Sequence, residues 1–442
     1  MNPQFALITC FIIITIVFWY DHKKYKEVST SSYIPLFWIF ILGTQSVYDW
    51  LNKLKGYNVE TSYDTGSQVD RLVMLILIIM AIAILLKRRY KFKSFYNENK
   101  TIIFLFGFAL FSVLWADAPF ISIKRWTRGF GSLLMIFVIF SEEKPIVSTT
   151  TIIRRLCYIV IPLSIIFIRY YREIGVTYGY YDGLIMYTGV CGHKNQLGRL
   201  CLVSCTYFSW DIYANFWKKK LKNFIDKKLY IINIVYLFMS FYLILVAKSS
   251  TSLACTIAAI ATLLLCKYDI VKKRLLAMIP FLICFILLSE YLFSLSGYII
   301  TALGRDITLT GRTELWAELL EIGTNPIIGV GYGSFWISDR FDILWENKFH
   351  ELPTEAHNGF LGVYLDLGIS GVLLWISIYI TYFKKLTRNI SLENNYFIYY
   401  QLCIFVSFVL YNITEANMSL HNFSFFIFCI LMTCPLEKKN YE

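Results

Sequence analysis

Residues 71–89 read RLVMLILIIMAIAILLKRR, with fifteen uncharged apolar residues from Leu72 to Leu86 held between Arg71 and the Lys87-Arg88-Arg89 run. Such a stretch has no polar face to turn toward water. With its flanks it approaches the ~20 helical residues that cross a ~30 Å hydrocarbon layer. Runs of this kind recur along the 442-residue chain, which is 57% hydrophobic and only 16% charged, with a mean hydropathy of +0.56. The composition excludes a soluble enzyme, a secreted disulfide scaffold and a nucleic-acid binder.

Apolar windows predict spans near 3–20, 33–50, 71–86, 101–116, 128–141, 155–170, 196–216, 229–247, 251–267, 275–293, 359–383, 396–412 and 420–435. The expected fold is all-α, a polytopic transmembrane helical bundle of 12–13 spans. The first span lacks a basic leader and a small-residue cleavage site and is expected to be retained. Orientation follows from basic residues, which collect in cytoplasmic loops. Of the 42 Lys and Arg residues, 27 fall in 21–32, 87–100, 142–155, 217–228, 267–274, 384–395 and 436–442. That side is the cytoplasm, so the net charge of +12 reflects topology rather than a polyanionic partner. Residues 294–356 then lie outside as a small helical cap, between ten spans in 1–293 and three in 357–442.

Ten of the eleven cysteines fall in or beside spans, Cys191 sits in an external loop, and no C-x-x-C pair exists. All are read as small apolar residues rather than as metal or redox groups.

Most of the remaining basic residues lie on the outer side: Lys124, Arg125 and Arg128; Arg169, Arg172, Lys194 and Arg199; Lys248; and Arg305, Arg312, Arg340 and Lys348. A cation at a span end commonly snorkels to the interface. A ring of them on the outer side also suits an anion such as phosphate. Arg312 opens an expected helix running to Gly323, with Thr313, Trp316, Ala317 and Leu320 on one face and Glu314, Glu318 and Glu321 on the other. There the guanidinium would add to the anion-binding N–H groups of the first turn, whereas a surface pair with Glu314 or Glu318 is the plainer alternative. His193-Lys194-Asn195 opens the seventh span, with Arg199 one turn in, either as an anion ligand or in an ion pair with Asp211 or Asp182. Gly329 to Trp336 (GVGYGSFW) imitates a nucleotide loop but has no following Lys-Ser/Thr. It reads as an external turn whose aromatics stack on sugars or line the interface. His357-Asn358, after Glu355, stands at the mouth of a long span, as a proton acceptor or as an interfacial hydrogen-bonder. Gly359, Gly362, Gly368 and Gly371 would thin one side of that helix for close packing.

Taken in order, GHKNQLG (192–198), TGRTELW (310–316), PIIGVGYGSFW (326–336) and His357-Asn358 followed by Gly368 and Gly371 resemble the O-antigen ligase and polymerase superfamily, closest to its exopolysaccharide-polymerase branch. Ser112, Trp115 and Pro119, ahead of Lys124-Arg125, are similar to its external Ser-Trp-Pro loop. The resemblance covers roughly 110–375. It implies a glycosyltransferase of the bacterial inner membrane, acting on the periplasmic face. The donor would be an undecaprenyl-pyrophosphate-linked oligosaccharide, and the acceptor a carrier-linked repeat unit or lipid A-core. Membrane lipids and a chain-length regulator would be further partners, with no cofactor, nucleotide sugar or nucleic acid.

Carried over, the resemblance puts catalysis on His357 and Arg312, with Glu355 the alternative base. It puts pyrophosphate binding on Lys194, Arg199, Arg312, Arg125, Arg128 and Arg305. Glu355, Asn358, Asn195, His193, Tyr332 and Trp336 would contact the acceptor or sugar. Direct displacement would invert the anomeric centre. No D-x-D pair stands outside, Asp339 and Asp342 being the nearest approach, so a metal-independent reaction is expected. Polymerase and ligase differ in acceptor. A lipid-linked oligosaccharide flippase is the rival of another class, but its inverted repeats are absent.

Overall fold

The computed structural model describes residues 2–55, 67–179, 183–217, 223–272, 274, 312–337, 355–390 and 396–436. Among the described residues it is helical apart from one short antiparallel pair, Val176–Tyr178 with Ile185–Tyr187. The helices are α1 (Pro3–Lys24), α2 (Tyr33–Gly43), α3 (Val47–Leu54), α4 (Gln68–Lys87), α5 (Phe92–Glu98), α6 (Lys100–Phe111), α7 (Pro119–Phe140), α8 (Pro145–Tyr170), α9 (Arg172–Gly175), α10 (Lys194–Trp217), α11 (Phe224–Ala247) and α12 (Ser250–Leu265). Then follow α13 (Arg312–Glu321), α14 (Gly359–Asn389), α15 (Tyr396–Thr414) and α16 (Phe423–Thr433).

Among the described residues, six helices are long and apolar enough to cross a membrane: α1, α4, α8, α11, α14 and α15. Counting α5 and α6 as one span bent by 96° makes seven. The other expected spans map onto shorter or more polar helices. Residues 33–50 do not form one span: α2 stops at Thr44, and Ser46 starts α3 by accepting a hydrogen bond from Asp49 N (3.1 Å). A side-chain oxygen at that position satisfies an N–H the helix leaves open. α7 and α10 are long but carry Lys124, Arg125 and Arg128, and Lys194, Arg199 and Asp211. The expected span 275–293 lies outside the described residues, as does most of the expected cap.

The chain forms two compact units, one of residues 1–98, 128–260 and 420–442, the other of 99–127 and 261–419. In the first, α8 is the central helix: 78% of its apolar window is buried, against 17% for α1 and α4, whose side chains remain for lipid. Buried charge ties it to α1. Asp21 accepts from Arg154 Nε and Arg155 Nε, both at 2.7 Å, and Arg154 also donates to the Tyr207 hydroxyl (3.0 Å) on α10. One carboxylate shared by two guanidinium groups satisfies part of what burial of this network requires, while Arg155 Nη2 has no hydrogen-bond partner among the described residues.

In the second unit, α14 is bent rather than continuous. Gly368 sits at φ +63°, ψ −166°, where helical hydrogen bonding breaks. Segment 326–331 fills the break with backbone groups. Ile369 N donates to Pro326 O (2.9 Å), Ser370 N to Ile327 O (3.1 Å) and Gly331 N to Asp366 O (2.8 Å). A Cβ at Gly368 would overlap the Ile327 backbone. Gly368 is therefore a backbone junction and not, as expected, one of a row of helix-packing glycines. Gly359 does serve close packing, in contact with Asn412 of α15.

Candidate functional site

Two motifs legible in the sequence form one clasp in the second unit. Ser112 Oγ accepts from Tyr332 N (2.9 Å), and Ser122 Oγ donates to Tyr332 O (2.6 Å). Trp115 Nε1 donates to Ile328 O (3.3 Å), and Arg125 to Gly333 O (2.6 Å). Asp117 N and Ala118 N add bonds to Val330 O (3.0 Å) and Ser334 Oγ (3.3 Å). The Ser-Trp-Pro loop thus grips the glycine turn mainly through main-chain oxygens. Close backbone approach is what the glycines allow: at Gly329, φ +66°, a Cβ would overlap Asp366.

The clasp packs against the two candidate catalytic segments. Leu315 and Leu319 of α13, Val330 and Phe335 of the clasp, Ala356, and Leu365 of α14 form one buried cluster. Trp336, Leu361 and Tyr364 pack against it. Trp316 Nε1 donates to Ala356 O at 2.7 Å, joining the helix headed by Arg312 to the residue before His357. The expected apolar face of α13 needs correction. Leu315 and Leu319, four residues apart on one stripe, are the buried pair, while Leu320 is 57% exposed. The side chain of Arg312 lies outside what is described. Its backbone begins α13 one turn before Trp316, about 6 Å along the axis.

His357 has φ +46°, a left-handed backbone uncommon for a residue with a Cβ. The next residue explains how the chain leaves that turn: Asn358 caps α14, its Oδ1 accepting from Phe360 N (3.0 Å) and Leu361 N (3.1 Å). His357 Nδ1 stands 3.2 Å from Glu415 Oε2 and 3.4 Å from Glu355 Oε1. The donor atoms of these three side chains lie within 4.8 Å of one another, and by type they could hold a cation.

The other expected residues are distributed as follows. Arg125, Tyr332, Trp336, Glu355, His357, Asn358 and the α13 backbone at Arg312 belong to the second unit; Arg128, His193, Lys194, Asn195 and Arg199 belong to the first. Arg305, Asp339 and Asp342 lie outside the described residues. Tyr332 is only 4% exposed, so its ring is a core contact; Trp336 is half-buried. In the first unit His193 Nδ1 accepts from Asn195 N (3.2 Å), so the imidazole caps α10, and Lys194 is half-buried at its first residue. Arg199 donates to Asn422 Oδ1 (3.4 Å). Of the two acids offered as an alternative ionic partner for it, Asp211 accepts from Asn215 (2.8 Å) and Asn233 (2.7 Å), and Asp182 lies outside the described residues. Gly198 lets α10 approach Ser249 and Ser252, where a Cβ would stand 2.5 Å from Ser252 Oγ.

Cys191, next to this knot, is buried, and burial pushes its thiol up to about 12, with Arg199 and Lys53 drawing it partly back. It is inert packing, as are the other described cysteines, all buried.

Sequence reading missed Glu415, which follows α15 and is buried, and the backbone role of Asp366. A carboxylate just past the expected span 396–412, at the end where the expected topology also puts His357, was the available signal for Glu415.

The family model described as O-antigen ligase matches residues 234–376. The chain is also similar to the exopolysaccharide production protein ExoQ of Rhizobium meliloti (strain 1021), 33% identical over 99 residues. That alignment covers 21% of this chain and 23% of ExoQ, so the likeness spans under a quarter of that relative's length. The family match takes in α13, the glycine turn, the His357 turn and the break in α14. It stops short of Glu415, and Lys194 and Arg199 precede it. Residues 234–376 are thus similar to an O-antigen ligase family model, within a multi-pass membrane protein whose described residues are helical apart from one short strand pair.

Proposed function

We propose that the protein is a glycosyltransferase of the bacterial inner membrane. It polymerises undecaprenyl-pyrophosphate-linked repeat units at the periplasmic face. The observation that carries this reading is the packing of the Arg312 helix and the His357 turn on one core, with Trp316 and Ala356 hydrogen-bonded at 2.7 Å. A cation and an acid–base group set on the same rigid elements are what a displacement at a glycosyl pyrophosphate requires.

In the proposed step an acceptor hydroxyl oxygen attacks the anomeric carbon as the bond from that carbon to the phosphate oxygen breaks. The leaving undecaprenyl pyrophosphate keeps the electron pair, and the hydroxyl proton passes to His357. Attack opposite the leaving group inverts the centre. Negative charge grows on the departing oxygens, so fixed guanidinium and ammonium groups stabilise the transition state more than the ground state. Arg312 is assigned that role. Lys194 and Arg199 at the start of α10, and Arg125, Arg128 and Arg305, are the further candidates for holding phosphate. Glu355, Asn358, Asn195, His193 and Trp336 are assigned to the acceptor or sugar, Trp336 by stacking in place of the buried Tyr332.

The polymerase reading draws on the GHKNQLG, TGRTELW and glycine-turn set and on the likeness to a protein named for exopolysaccharide production. The second reading is ligation to lipid A-core or to protein, favoured by the description of the matching family. A broken helix such as α14 also occurs in transporters. Here its break is occupied by the protein's own backbone, which favours an enzyme over a flippase. The test is purified protein with a defined carrier-linked repeat unit. A ladder of longer carrier-linked products supports polymerisation. Products only when lipid A-core or an acceptor protein is added mark a ligase, and no new linkage under any of these conditions refutes both.

A further inference from the structure

We infer that Glu415 is a positioning residue that orients the imidazole of His357 through Nδ1. The inference rests on the reading of His357 as the proton acceptor, and it adds a residue beyond the matched family segment.

Three observations converge. Glu415 Oε2 lies 3.2 Å from His357 Nδ1, hydrogen-bonding distance, and the Glu415 side chain is 5% exposed. Glu355 reaches the same nitrogen at 3.4 Å but is 42% exposed, so water screens it and its position is less fixed. Finally, the His357 backbone is held at φ +46° between Ala356, whose carbonyl is bound by Trp316, and Asn358, which caps α14. A side chain kept in an unfavourable backbone region by contacts on both sides is positioned, not incidental. Glu415 is fixed in turn: its N–H donates to Tyr411 O (3.0 Å) at the end of α15. The same helix presents Asn412 to Gly359 in the first turn of α14.

A buried carboxylate on Nδ1 has two chemical consequences. It selects the tautomer with the proton on Nδ1, which makes Nε2 the basic nitrogen. It also stabilises the imidazolium that forms when Nε2 takes the acceptor hydroxyl's proton. In this arrangement the proton is taken up at Nε2 and none needs to move to Glu415. Glu355, the more exposed of the two carboxylates, is the one assigned to the acceptor.

The test uses the full-length protein in detergent or nanodiscs with a defined carrier-linked repeat unit, comparing Glu415→Gln, Glu415→Asp, Glu355→Gln and His357→Ala. Glu415→Gln keeps shape and removes charge. It should lower kcat by at least about tenfold, with KM within about twofold and melting close to the parent. Glu415→Asp should recover part of the loss, and Glu355→Gln should retain more kcat than Glu415→Gln. Wild-type kcat in Glu415→Gln beside an inactive His357→Ala would overturn the inference and leave His357 as the base. Wild-type activity in His357→Ala would overturn both. Abolition of wild-type activity by a chelator, restored by a divalent cation, would make Glu415 a metal ligand and also overturn the inference. A Glu415→Gln variant with low kcat and a collapsed melting transition is resolved by Glu415→Asp: recovery of melting without any recovery of kcat overturns it.

Discussion

Replacing Gly368 by alanine probes the junction on which the proposed site is built. At φ +63°, ψ −166° the backbone occupies a region open essentially to glycine, and occupying it with a Cβ costs about 1–3 kcal/mol. The added carbon would also overlap the Ile327 backbone, so segment 326–331 must move. Movement endangers the bonds from Ile369 N to Pro326 O and Ser370 N to Ile327 O, each contributing roughly 1 kcal/mol. The sum is on the order of 3–5 kcal/mol, a large part of the ~5–15 kcal/mol that holds a typical domain folded. Gly362 is the internal control, because its nearest neighbour is Ala416 Cβ at 4.0 Å and it lies within the regular first part of α14. Alanine there should stabilise by about 0.5–1 kcal/mol. Thermal unfolding in detergent, followed by intrinsic fluorescence, reads both. Gly368→Ala should melt several degrees lower with polymer formation lost, and Gly362→Ala at or above the parent. Equal melting of the two variants would refute the idea that α14 is broken to receive the glycine turn.

Other consequences are simpler to state. Arg312→Ala should reduce turnover by roughly 10²-fold or more, and Arg312→Lys should recover only part of it, since an ammonium lacks the bidentate fork. Product quantitation at saturating donor checks this. Asp21→Ala leaves two buried guanidinium groups without their shared carboxylate and should destabilise by about 3–5 kcal/mol, visible as lower yield and melting temperature. Cys191 should resist maleimide at pH 8 until the protein is unfolded, followed by mass spectrometry of its peptide. Burial pushes its folded thiol up to about 12 from an ordinary value of 9.0. Its contribution to stability is thus complete below pH 9 and is lost as pH rises toward 12.

Long apolar runs carried the helical membrane architecture directly, because a 20-residue helix leaves an unmistakable compositional trace. The split of 33–50 into α2 and α3 was hidden by apolar residues that would suit either arrangement, with Ser46 the small sign of a new helix start. The Ser-Trp-Pro loop and the glycine turn were each visible, but their pairing across 210 residues was not. It runs largely through main-chain carbonyls, which have no residue signature. Gly368 looked like one packing glycine among four; its positive φ depends on a segment from elsewhere in the chain. The buried face of α13 was misread because Trp316 is the more conspicuous residue, although Leu315 and Leu319 are the pair at helical spacing. His357 stood out as one of five histidines. Its partner Glu415, 58 residues away, could be found only by asking which acids end a span on the same side.

The most direct test of the account is the stoichiometry of linkage formation by purified protein supplied with one carrier-linked repeat unit. One undecaprenyl pyrophosphate should be released for each new glycosidic bond, with inverted configuration at the joined centre, and His357→Ala should stop both together. Glycan movement across the bilayer without carrier release, or undiminished release by His357→Ala, would contradict it.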